Sequence, residues 1–398
     1  MKQKEDKTYH MVATCPDELT EVVAKELENC GAENIRTKYR AVTFLTNENN
    51  YYKCHLKLRT ASSLLRVIAK INSINLHHLE KEAKKIQWTN FIVPNKSFRV
   101  DVSMADKGKD LPSSNAISRA IRIAVEHAFY DQKLKKPNVS IKEPNIIIHA
   151  FFSRKGTVIS FNTSGRSLHK RGYRHTSHPA PLQETVAASL LQLCQYSGSE
   201  AFYDPMCGSG TIAIEAAYLA LNKSSQIHRK KGLFGFEHLK DFNTQLWRDT
   251  QEEARTEKRE SPPQKIYASD INPIYLDETK QNALRARVEK NIDFKCCDFF
   301  KSTKPEPSGV LVCNLPYGKR LNEIKNLEEF YKNVGDHLKK NFTGWKACLL
   351  VDEESPWKKI GLRTSKKFNL KNGSIKSKFF IYDLYEGSKK IKKENDQK

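Results

Sequence analysis

The stretch "AFYDPMCGSGTIAIEAAYLA", residues 201–220, predicts how the C-terminal half of this chain folds. An apolar strand, a turn with two glycines and an apolar helix follow one another. In a parallel α/β sheet, this order lets the backbone approach a ligand closely at the N-terminus of a helix. Gly208 and Gly210 lack Cβ atoms where the ligand would lie, and Asp204 adds a carboxylate at the strand end. The stretch therefore predicts a ligand site on an α/β sheet.

The spacing of this glycine turn excludes some ligands. It matches neither GxxxxGK[ST] nor GxGxxG, so phosphate binding by a Walker lysine is excluded and dinucleotide binding is disfavoured. The carboxylate of Asp204 can accept hydrogen bonds from an ammonium group. An amino-acid moiety therefore suits the turn better than a pyrophosphate, with a tight turn that binds nothing as the alternative.

Two later strands also end in acidic residues. The strand "KIYAS" is followed by Asp270, and a carboxylate at this edge typically binds the two hydroxyls of a ribose. The strand that ends in "CCDFF" offers Asp298 as an acceptor for an amino group and Phe299 as a face for an adenine. Isolated surface side chains are the alternative for each, but three successive strand ends with such groups favour a site. We interpret the polar segment 222–264 as a decoration that lengthens a crossover without moving the strand.

A fourth strand runs into "CNLPYGKR", residues 313–320. An exocyclic amine of a nucleobase is a weak nucleophile, and it needs positioning and acceptors for its hydrogens. Asn314 offers a side-chain oxygen and Leu315 a backbone carbonyl, while Pro316 restrains Leu315 to an extended conformation. Tyr317 can stack on a base that has left its helix or loop. The motif predicts amine methylation, but adenine N6, cytosine N4 and guanine N2 all fit it.

The composition predicts a polyanionic partner. The chain has 68 Lys and Arg against 46 Asp and Glu, a net charge of +22, and nucleic acid is the leading candidate. A solubilising excess of lysine is the alternative. Because there is no apolar run of about 18 residues, we expect no membrane span. The nine cysteines show no CxxC spacing, which indicates a reducing cytoplasm and no metal site.

In the N-terminal half, short strands and helices alternate, and no group of residues typical of a catalytic site is found. The segment "SGRSLHKRGYRHTSHPAP", residues 164–181, follows it with two glycines and a cluster of basic residues. We interpret this segment as an interdomain linker that contacts phosphate, with a solvated spacer as the alternative. The predicted RNA-binding residues are Arg166, Lys170, Arg171, Tyr173 and Arg174.

These motifs resemble the class I S-adenosylmethionine-dependent methyltransferases, and specifically the THUMP-domain guanine-N2 RNA methyltransferases of the RlmL type. "DPMCGSGT" is similar to their motif I, "SDIN" to their ribose-binding loop, "CDFF" to their adenine site and "NLPYG" to their NPPY-type catalytic motif. The resemblance implies catalytic roles for residues 314–317. It implies cofactor contacts from Asp204, Pro205, Met206, Cys207, Gly208, Gly210, Thr211, Asp270, Ile271, Asp298, Phe299 and Asn314.

The resemblance also implies a fold. We expect an N-terminal ferredoxin-like plus THUMP unit of α+β class, followed by a Rossmann-like class I methyltransferase domain. Its seven-stranded sheet should be mostly parallel, with one antiparallel strand next to the turn at Asn372 and Gly373. The predicted division is a ferredoxin-like part, a THUMP domain, a basic linker, a methyltransferase domain and a basic disordered tail: 1–70, 71–163, 164–180, 181–386 and 387–398.

The function that the resemblance implies is methyl transfer to N2 of a guanosine in 23S, or large-subunit, ribosomal RNA. The alternatives are a tRNA guanine-N2 methyltransferase, an amino-methyltransferase for another base of RNA or DNA, and a non-catalytic RNA-binding assembly factor. Two positions depart from the family. Leu315 stands where proline is most common, which bears on catalysis, and Lys319 stands where an acid is common, which bears on substrate choice. One methyltransferase domain is expected, without the second that some members carry.

Overall fold

A computed structural model describes residues 7–106, 108–174, 182–316, 326–373 and 375–386. It divides the chain into two compact units that interleave along the sequence. The first unit takes the described residues of 1–174, 183–189 and 222–259, and the second takes those of 175–182, 190–221 and 260–398. Within the described ranges, no helix is both long and apolar enough to cross a membrane.

The helices and strands alternate along the chain. The strands are β1 Tyr9–Thr14, β2 Glu33–Lys38, β3 Ala41–Thr46, β4 Ser63–Ile71, β5 Phe98–Met104, β6 Ile146–Ser153, β7 Gly156–Asn162, β8 Phe202–Asp204, β9 Ile266–Asp270, β10 Asp293–Cys296, β11 Gly309–Asn314, β12 Trp345–Asp352, β13 Lys366–Asn372 and β14 Ile375–Asp383. The helices are α1 Thr20–Asn29, α2 Glu48–Lys57, α3 Leu76–Lys84, α4 Ser114–Asp131, α5 Glu184–Leu193, α6 Thr211–Ala220, α7 Thr244–Thr256, α8 Pro273–Arg285 and α9 Leu327–Asn341.

The first unit contains one seven-stranded sheet in the order β2-β3-β1-β4-β7-β6-β5. Strand β4 lies at its centre and pairs antiparallel with β1 on one side and with β7 on the other. The ferredoxin-like strands and the THUMP strands are therefore joined by backbone hydrogen bonds, although the sequence predicts them as separate parts. Apolar side chains on α1 and α2 cover one half of the sheet, and those on α3 and α4 cover the other.

The insertion after α6 belongs to the first unit. Phe234, Phe236 and Trp247 are buried in the core that the ferredoxin-like strands and helices form. The indole of Trp247 lies 5.1 Å from the ring of Phe236 and 5.8 Å from the ring of Tyr52, measured between centroids. The interpretation of the insertion as a mere decoration is therefore wrong, because it completes the core of the N-terminal unit. Strand β9 nevertheless pairs in parallel with β8, as predicted.

A buried ion pair ties the insertion to β4, and a buried histidine makes polar contacts elsewhere in the same unit. Arg66 and Asp241 form a largely buried ion pair of 2.9 Å, and the burial of both charges is compensated by the contact. The ring of His55 is fully buried, with Nδ1 2.7 Å from the carbonyl oxygen of Tyr51 and Nε2 2.8 Å from Oγ1 of Thr163. Burial lowers the pKa of His55 to about 3, so the imidazole is neutral at physiological pH.

The start of the predicted linker is also part of the first unit. Leu168 is completely buried in the same core. Oγ of Ser164 accepts a hydrogen bond of 2.7 Å from the amide of Leu64, and Oγ of Ser167 donates one of 3.0 Å to the carbonyl of Ser62. Residues 164–174 are therefore not a free spacer, and residues 175–181 lie outside the described part of the chain.

The second unit contains a seven-stranded sheet in the order β10-β9-β8-β11-β12-β14-β13. All neighbouring pairs are parallel except those made by β14, which runs antiparallel to β12 and to β13. This confirms the predicted class I methyltransferase sheet with one antiparallel strand. After β8 the chain forms β9 and β10 on one side of β8, and it then forms β11 on the other side of β8. The strand order therefore reverses at β8. Ligands of open α/β sheets bind at such a reversal, outside the carboxyl ends of the strands.

We predict that Trp247→Ala destabilises the N-terminal unit, although Trp247 follows the first methyltransferase strand in sequence. Truncation of a buried tryptophan should lower the free energy of unfolding by about 3–5 kcal/mol. Urea unfolding, followed by tyrosine fluorescence and by proteolysis of residues 7–174, measures the effect.

Arg248→Ala is the matched control, because Arg248 is the exposed neighbour on the same helix. Its free energy of unfolding should change by less than about 0.5 kcal/mol. Equal losses for the two variants would contradict a core role for the insertion.

Candidate active site

Three adjacent strands of the second unit end in polar side chains. Strand β9 ends at Asp270, β8 at Asp204 and β11 at Asn314. The strands are parallel, with β8 between the other two, so these ends meet at one edge of the sheet. The site predicted from separate stretches of sequence is therefore assembled at the reversal of strand order.

The glycine turn between β8 and α6 is tied to β9 by its backbone. The amide of Cys207 donates to the carbonyl of Ser269 at 3.0 Å, and the amide of Gly208 donates to Oδ2 of Asp270 at 2.9 Å. Both contacts use backbone donors of the turn, and one acceptor is a backbone carbonyl while the other is the Asp270 side chain, so the path of the turn is tied to β9. The turn is therefore ordered before any ligand binds.

Helix α8 supports the turn from the other side. Oγ1 of Thr279 donates to the carbonyl of Gly208 at 2.6 Å, and Nδ2 of Asn282 donates to the carbonyl of Ser209 at 3.0 Å. Neither side chain is among the site residues predicted from the sequence. Thr279 and Asn282 are two polar residues on the buried face of α8. Buried polar side chains usually have hydrogen-bond partners, so their position on this face could have indicated a contact with the turn.

The turn needs glycine at position 210 for two reasons. Gly210 has a φ of 78°, which residues with a Cβ rarely adopt, and a Cβ there would lie 2.5 Å from Cγ2 of Thr279. From the sequence, glycine was expected at this position because a Cβ atom would occupy the space that a ligand needs. The structure adds close packing against α8 as a separate cause.

Asp204 is the most unusual group at this edge. Its side chain is buried, and neither carboxylate oxygen has a hydrogen-bond partner of normal geometry among the described residues. Burial raises the pKa of Asp204 well above its usual value, and the neighbouring charge of Asp270 raises it further. The amides of Met206 and Ala213 lower the pKa of Asp204 without reversing this shift. A cationic ligand group would stabilise the ionised carboxylate.

Asp270 is already positioned as an acceptor. Its Oδ2 receives the amide of Gly208, and its Oδ1 receives the amide of Asn272 at 2.9 Å. A carboxylate oxygen can accept more than one hydrogen bond, so both oxygens remain able to bind hydroxyl groups. The side chain of Ile271, the next residue, is 66% exposed and offers an apolar surface beside this acid.

The third predicted acid caps a short turn. Oδ1 of Asp298 accepts the amide of Phe300 at 3.0 Å, and the side chain of Asp298 is half-buried. Phe299, predicted as the face for an adenine, is only 5% exposed. Its ring packs against His337 at 4.7 Å and Phe342 at 6.0 Å between centroids.

Phe299 therefore cannot offer an open face to a base, and the structure corrects this part of the prediction. The cap at Asp298 directs the following side chain into the core beneath the sheet edge. Exposed apolar surface is found instead at Ile271 and at Phe300, which is 37% exposed.

The catalytic motif begins on β11. Oδ1 of Asn314 is buried and has no hydrogen-bond partner in the part of the chain that the structure describes. The amide of Leu315 donates to the carbonyl of Leu350 at 3.0 Å, which extends the pairing of β11 with β12 by one residue. The side chain of Leu315 is buried in the core of the unit, and Pro316 is half-buried. Tyr317 and Lys319 lie outside the described residues.

The predicted RNA-binding residues separate into two groups. Arg171 is buried and donates to the carbonyls of Leu168 and Arg59, and Tyr173 is buried as well. Arg174 is half-buried, 3.8 Å from Glu184.

These three side chains therefore stabilise the first unit, and Arg171 and Tyr173 are not accessible to RNA, which corrects the prediction. Arg166 and Lys170 are exposed and remain candidates.

The described residues contain no group of three or more His, Cys, Asp or Glu side chains that could hold a metal ion.

Three family models match this chain over most of its length. The model of the RMKL-like methyltransferase domain covers residues 171–380, that of the RlmL ferredoxin-like domain covers residues 10–65, and that of the THUMP domain covers residues 74–162. The chain belongs to the RMKL-like methyltransferase family. Its fold and its glycine turn are therefore those of a methyltransferase, and the ferredoxin-like and THUMP parts are confirmed.

Individual relatives agree with this family. The protein slr0064 of Synechocystis, named as an RNA methyltransferase, is 30% identical over 94% of this chain and 96% of its own length. Ribosomal RNA large subunit methyltransferase K/L of Vibrio campbellii is 32% identical over 95% of this chain. The alignment covers 54% of that enzyme, so this chain spans about half its length.

A solved structure carries the same fold. SMU.472, crystallised with S-adenosylhomocysteine, superposes with a TM-score of 0.85 and 25% sequence identity, over 96% of this chain and all of the other. S-adenosylmethionine is the cofactor of this methyltransferase, in agreement with the prediction. The buried carboxylate of Asp204, which has no hydrogen-bond partner of normal geometry among the described residues, fits its cationic amino-acid moiety. The remaining acceptor capacity of the Asp270 carboxylate fits its ribose hydroxyls.

We predict that Asp204→Asn weakens S-adenosylmethionine binding by about tenfold to hundredfold, because a charged acceptor is lost. The folded protein without ligand should be as stable as wild type or more stable at pH 7. An acid whose folded pKa exceeds its unfolded value of 3.8 destabilises the fold progressively as pH rises above 3.8. Calorimetric titration and thermal unfolding measure the two effects.

Asp293→Asn is the control, because Asp293 is exposed at the start of β10. It should change neither affinity nor stability. Wild-type affinity in the Asp204 variant would rule out the proposed ammonium contact.

Proposed function

We propose that this methyltransferase transfers a methyl group to the exocyclic N2 of a guanosine in large-subunit ribosomal RNA. The observation that supports the methyl-acceptor site is the buried Oδ1 of Asn314 at the end of β11, which has no hydrogen-bond partner within the described ranges of the chain. A buried carbonyl oxygen without a donor is costly, so it favours a ligand that supplies an N–H group. An exocyclic amine supplies one.

The residues act mainly by positioning. S-adenosylmethionine supplies an electrophilic methyl group on a sulfonium sulfur. Asn314 accepts one hydrogen of the amine through Oδ1, and the carbonyl of Leu315 accepts the other. These two neutral acceptors orient the nitrogen lone pair toward the methyl group and stabilise the positive charge that develops on nitrogen. Nitrogen bonds to the methyl carbon as the carbon–sulfur bond breaks and leaves a neutral thioether, and the extra proton passes from nitrogen to solvent water.

Leu315 fits this role through its backbone. The hydrogen bond from its amide to the carbonyl of Leu350 fixes the peptide, and its buried side chain anchors the residue in the core. Pro316 restrains Leu315 to an extended conformation, which keeps the carbonyl of Leu315 directed outward. A proline at position 315 would lack the amide that donates to Leu350. The leucine therefore replaces the rigidity of a proline ring with one hydrogen bond and one buried side chain.

RNA is the substrate class that the charge and the domain composition support. A net charge of +22 favours a polyanion, and the first unit contains a THUMP domain. The names of the relatives point to RNA and, for the K/L enzymes, to ribosomal RNA of the large subunit. The choice of guanine N2 rests on the family resemblance and is decided by mapping the methylated nucleotide.

We predict that Asn314→Ala lowers kcat for methyl transfer into RNA by about 100-fold to 1000-fold, the usual effect of losing one transition-state contact. Binding of S-adenosylmethionine should change much less. The measurement is transfer of a labelled methyl group into total RNA from a strain that lacks the enzyme, followed by mapping of the label.

Two variants accompany this experiment. Asn29→Ala, at an exposed position on α1, should leave kcat unchanged. Leu315→Pro should keep methyl transfer but lower the free energy of unfolding by about 1–3 kcal/mol, since one hydrogen bond and a buried side chain are lost. Undiminished transfer by the Asn314 variant would exclude the proposed acceptor, and label in tRNA alone would redirect the proposal to tRNA.

We predict that Arg166→Ala with Lys170→Ala weakens RNA binding and reduces its salt dependence, because two exposed cations no longer neutralise phosphates. Arg171→Ala should instead lower thermal stability, since its guanidinium donates to buried carbonyls. Filter binding at several salt concentrations measures the affinity.

The charge-matched control is Lys25→Ala with Arg36→Ala, two exposed cations elsewhere on the first unit. Its affinity should stay within about twofold of wild type. Identical salt curves for the two double variants would show that Arg166 and Lys170 do not contact RNA.

A further inference from the structure

One end of the THUMP part of the first unit exposes several large apolar side chains. Tyr130, near the end of α4, is 80% exposed, and Ile141, in the segment that leads to β6, is 76% exposed. Leu134 and Val139 lie between them in the sequence and are 42% and 45% exposed. Single exposed apolar residues are ordinary on a protein surface, whereas a group of them indicates a surface that binds a partner.

The topology of the THUMP strands brings this segment to one end of the sheet. Strands β5 and β6 are parallel and α4 connects them, so α4 runs back along the sheet and ends near the start of β5. The chain after α4 pairs with that start. The amide of Phe98 donates to the carbonyl of Asn138 at 2.8 Å, and the amide of Ser140 donates to the carbonyl of Phe98 at 3.0 Å. Residues 130–142 therefore lie at this end of the sheet, and we call them the α4–β6 surface.

Hydrogen bonds hold the α4–β6 surface in a defined conformation. The amide of Leu134 donates to the carbonyl of Phe129 at 2.9 Å, which closes the end of α4. Nη1 of Arg99 donates to the carbonyl of Ile141 at 2.6 Å, and Nε of the same guanidinium lies 2.7 Å from Oδ1 of Asp101. The apolar side chains are therefore presented by an ordered backbone. A surface that is ordered before binding loses little conformational entropy when a partner binds.

Positive charge accompanies the apolar residues. Residues 119–143 contain six Lys and Arg against three Asp and Glu. Glu126 lies 3.8 Å from Arg122 and 3.9 Å from Lys136, and Asp131 lies 2.8 Å from His127. The four lysines of the α4–β6 surface are all exposed: Lys133, Lys135, Lys136 and Lys142. The surface is therefore basic as well as apolar, which favours a polyanion that also offers apolar faces.

Unpaired RNA fits these features better than the other possible partners. A single strand offers the faces of its bases to an aromatic ring and its phosphates to lysines. In a duplex the base faces are already stacked on one another, so the apolar side chains would have no counterpart. A second copy of this chain, bound through the same surface, would bring the lysines of both copies together, and their repulsion opposes such a dimer.

We propose that the α4–β6 surface binds a single-stranded segment of the RNA substrate, with a base stacked on Tyr130 and phosphates on Lys133 and Lys135. The proposal rests on the RNA methyltransferase function above. It adds the kind of RNA structure that the first unit recognises.

The test measures binding of the full chain to an oligouridylate and to an RNA duplex of equal length, at several salt concentrations. Tyr130→Ala should weaken binding of the single strand about fivefold to hundredfold, because one base–aromatic stack is lost. Its affinity for the duplex should not change. Tyr130→Phe keeps the ring and should bind the single strand as wild type does.

A double variant tests the lysines. Lys133→Ala with Lys135→Ala should reduce the slope of log affinity against log salt by about 1.4 for the single strand. Lys25→Ala with Arg36→Ala, the charge-matched control used above, should leave the slope unchanged. All of these variants should unfold at the wild-type temperature, since the replaced side chains are exposed.

Methyl transfer into RNA gives a second measurement. Tyr130→Ala should raise KM for RNA and leave kcat unchanged, because Tyr130 binds the substrate away from the reacting atoms. Its affinity for S-adenosylmethionine should also equal that of wild type.

The outcomes separate this proposal from the function itself. Equal affinity of wild type and Tyr130→Ala for the single strand would overturn the proposal, and so would a wild-type protein that does not bind the oligouridylate. Methyl transfer by the same protein would leave the function standing. Binding that depends on Tyr130, without methyl transfer into any RNA, would overturn the function and support the RNA contact.

Two results would show that protein covers this surface instead. One is self-association of the wild type that Tyr130→Ala abolishes. The other is a Tyr130→Ala defect that is confined to ribosomal particles while binding of naked RNA is normal. Either result overturns the proposal.

Discussion

The hydrogen bond from the amide of Gly208 to Oδ2 of Asp270 joins the glycine turn to the neighbouring strand, and the geometry of the cofactor site follows from it. The bond fixes the turn that follows Asp204 and the carboxylate of Asp270 together. Asp270 thereby receives backbone amides on both oxygens, while Asp204 is left buried without a partner among the described residues. Two acids of the same type thus have different surroundings, which favour an acceptor for hydroxyls at Asp270 and a partner for a cation at Asp204.

Much of the candidate site could be predicted from the sequence, because the residues proposed to contact a ligand lie directly at strand ends. The pattern of a strand, two glycines and a helix predicts the turn, and the three polar strand ends predict the edge that gathers them. The sequence did not predict correctly the direction in which individual side chains point. Phe299 follows a capping Asp298 and turns into the core, and Arg171 folds back onto carbonyls of its own unit. Neither direction can be inferred from composition, since each depends on contacts with residues far along the chain.

A similar part of the fold could be predicted from the sequence. Hydrophobic periodicity gives the strands of both sheets, and the turn at Asn372 and Gly373 predicts the antiparallel strand. Sequence reasoning could not show that β4 pairs with β1 and β7 and thereby merges two parts into one sheet. It also did not predict where the insertion packs, because Phe234, Phe236 and Trp247 cover an apolar core whose residues lie mostly between Tyr9 and Leu64, far earlier in the chain.

The interleaving of the two units has a consequence for synthesis on the ribosome. Chains emerge from the N-terminus at about 5–20 residues per second, and N-terminal domains usually fold as soon as they are complete. Here the aromatic residues Tyr51 and Tyr52 emerge long before Phe236, which packs against both rings, and Trp247, which packs against Tyr52. The first strand of the methyltransferase sheet leaves the ribosome during this interval. The N-terminal unit must therefore wait, with part of its core uncovered, until a segment encoded within the methyltransferase sequence arrives.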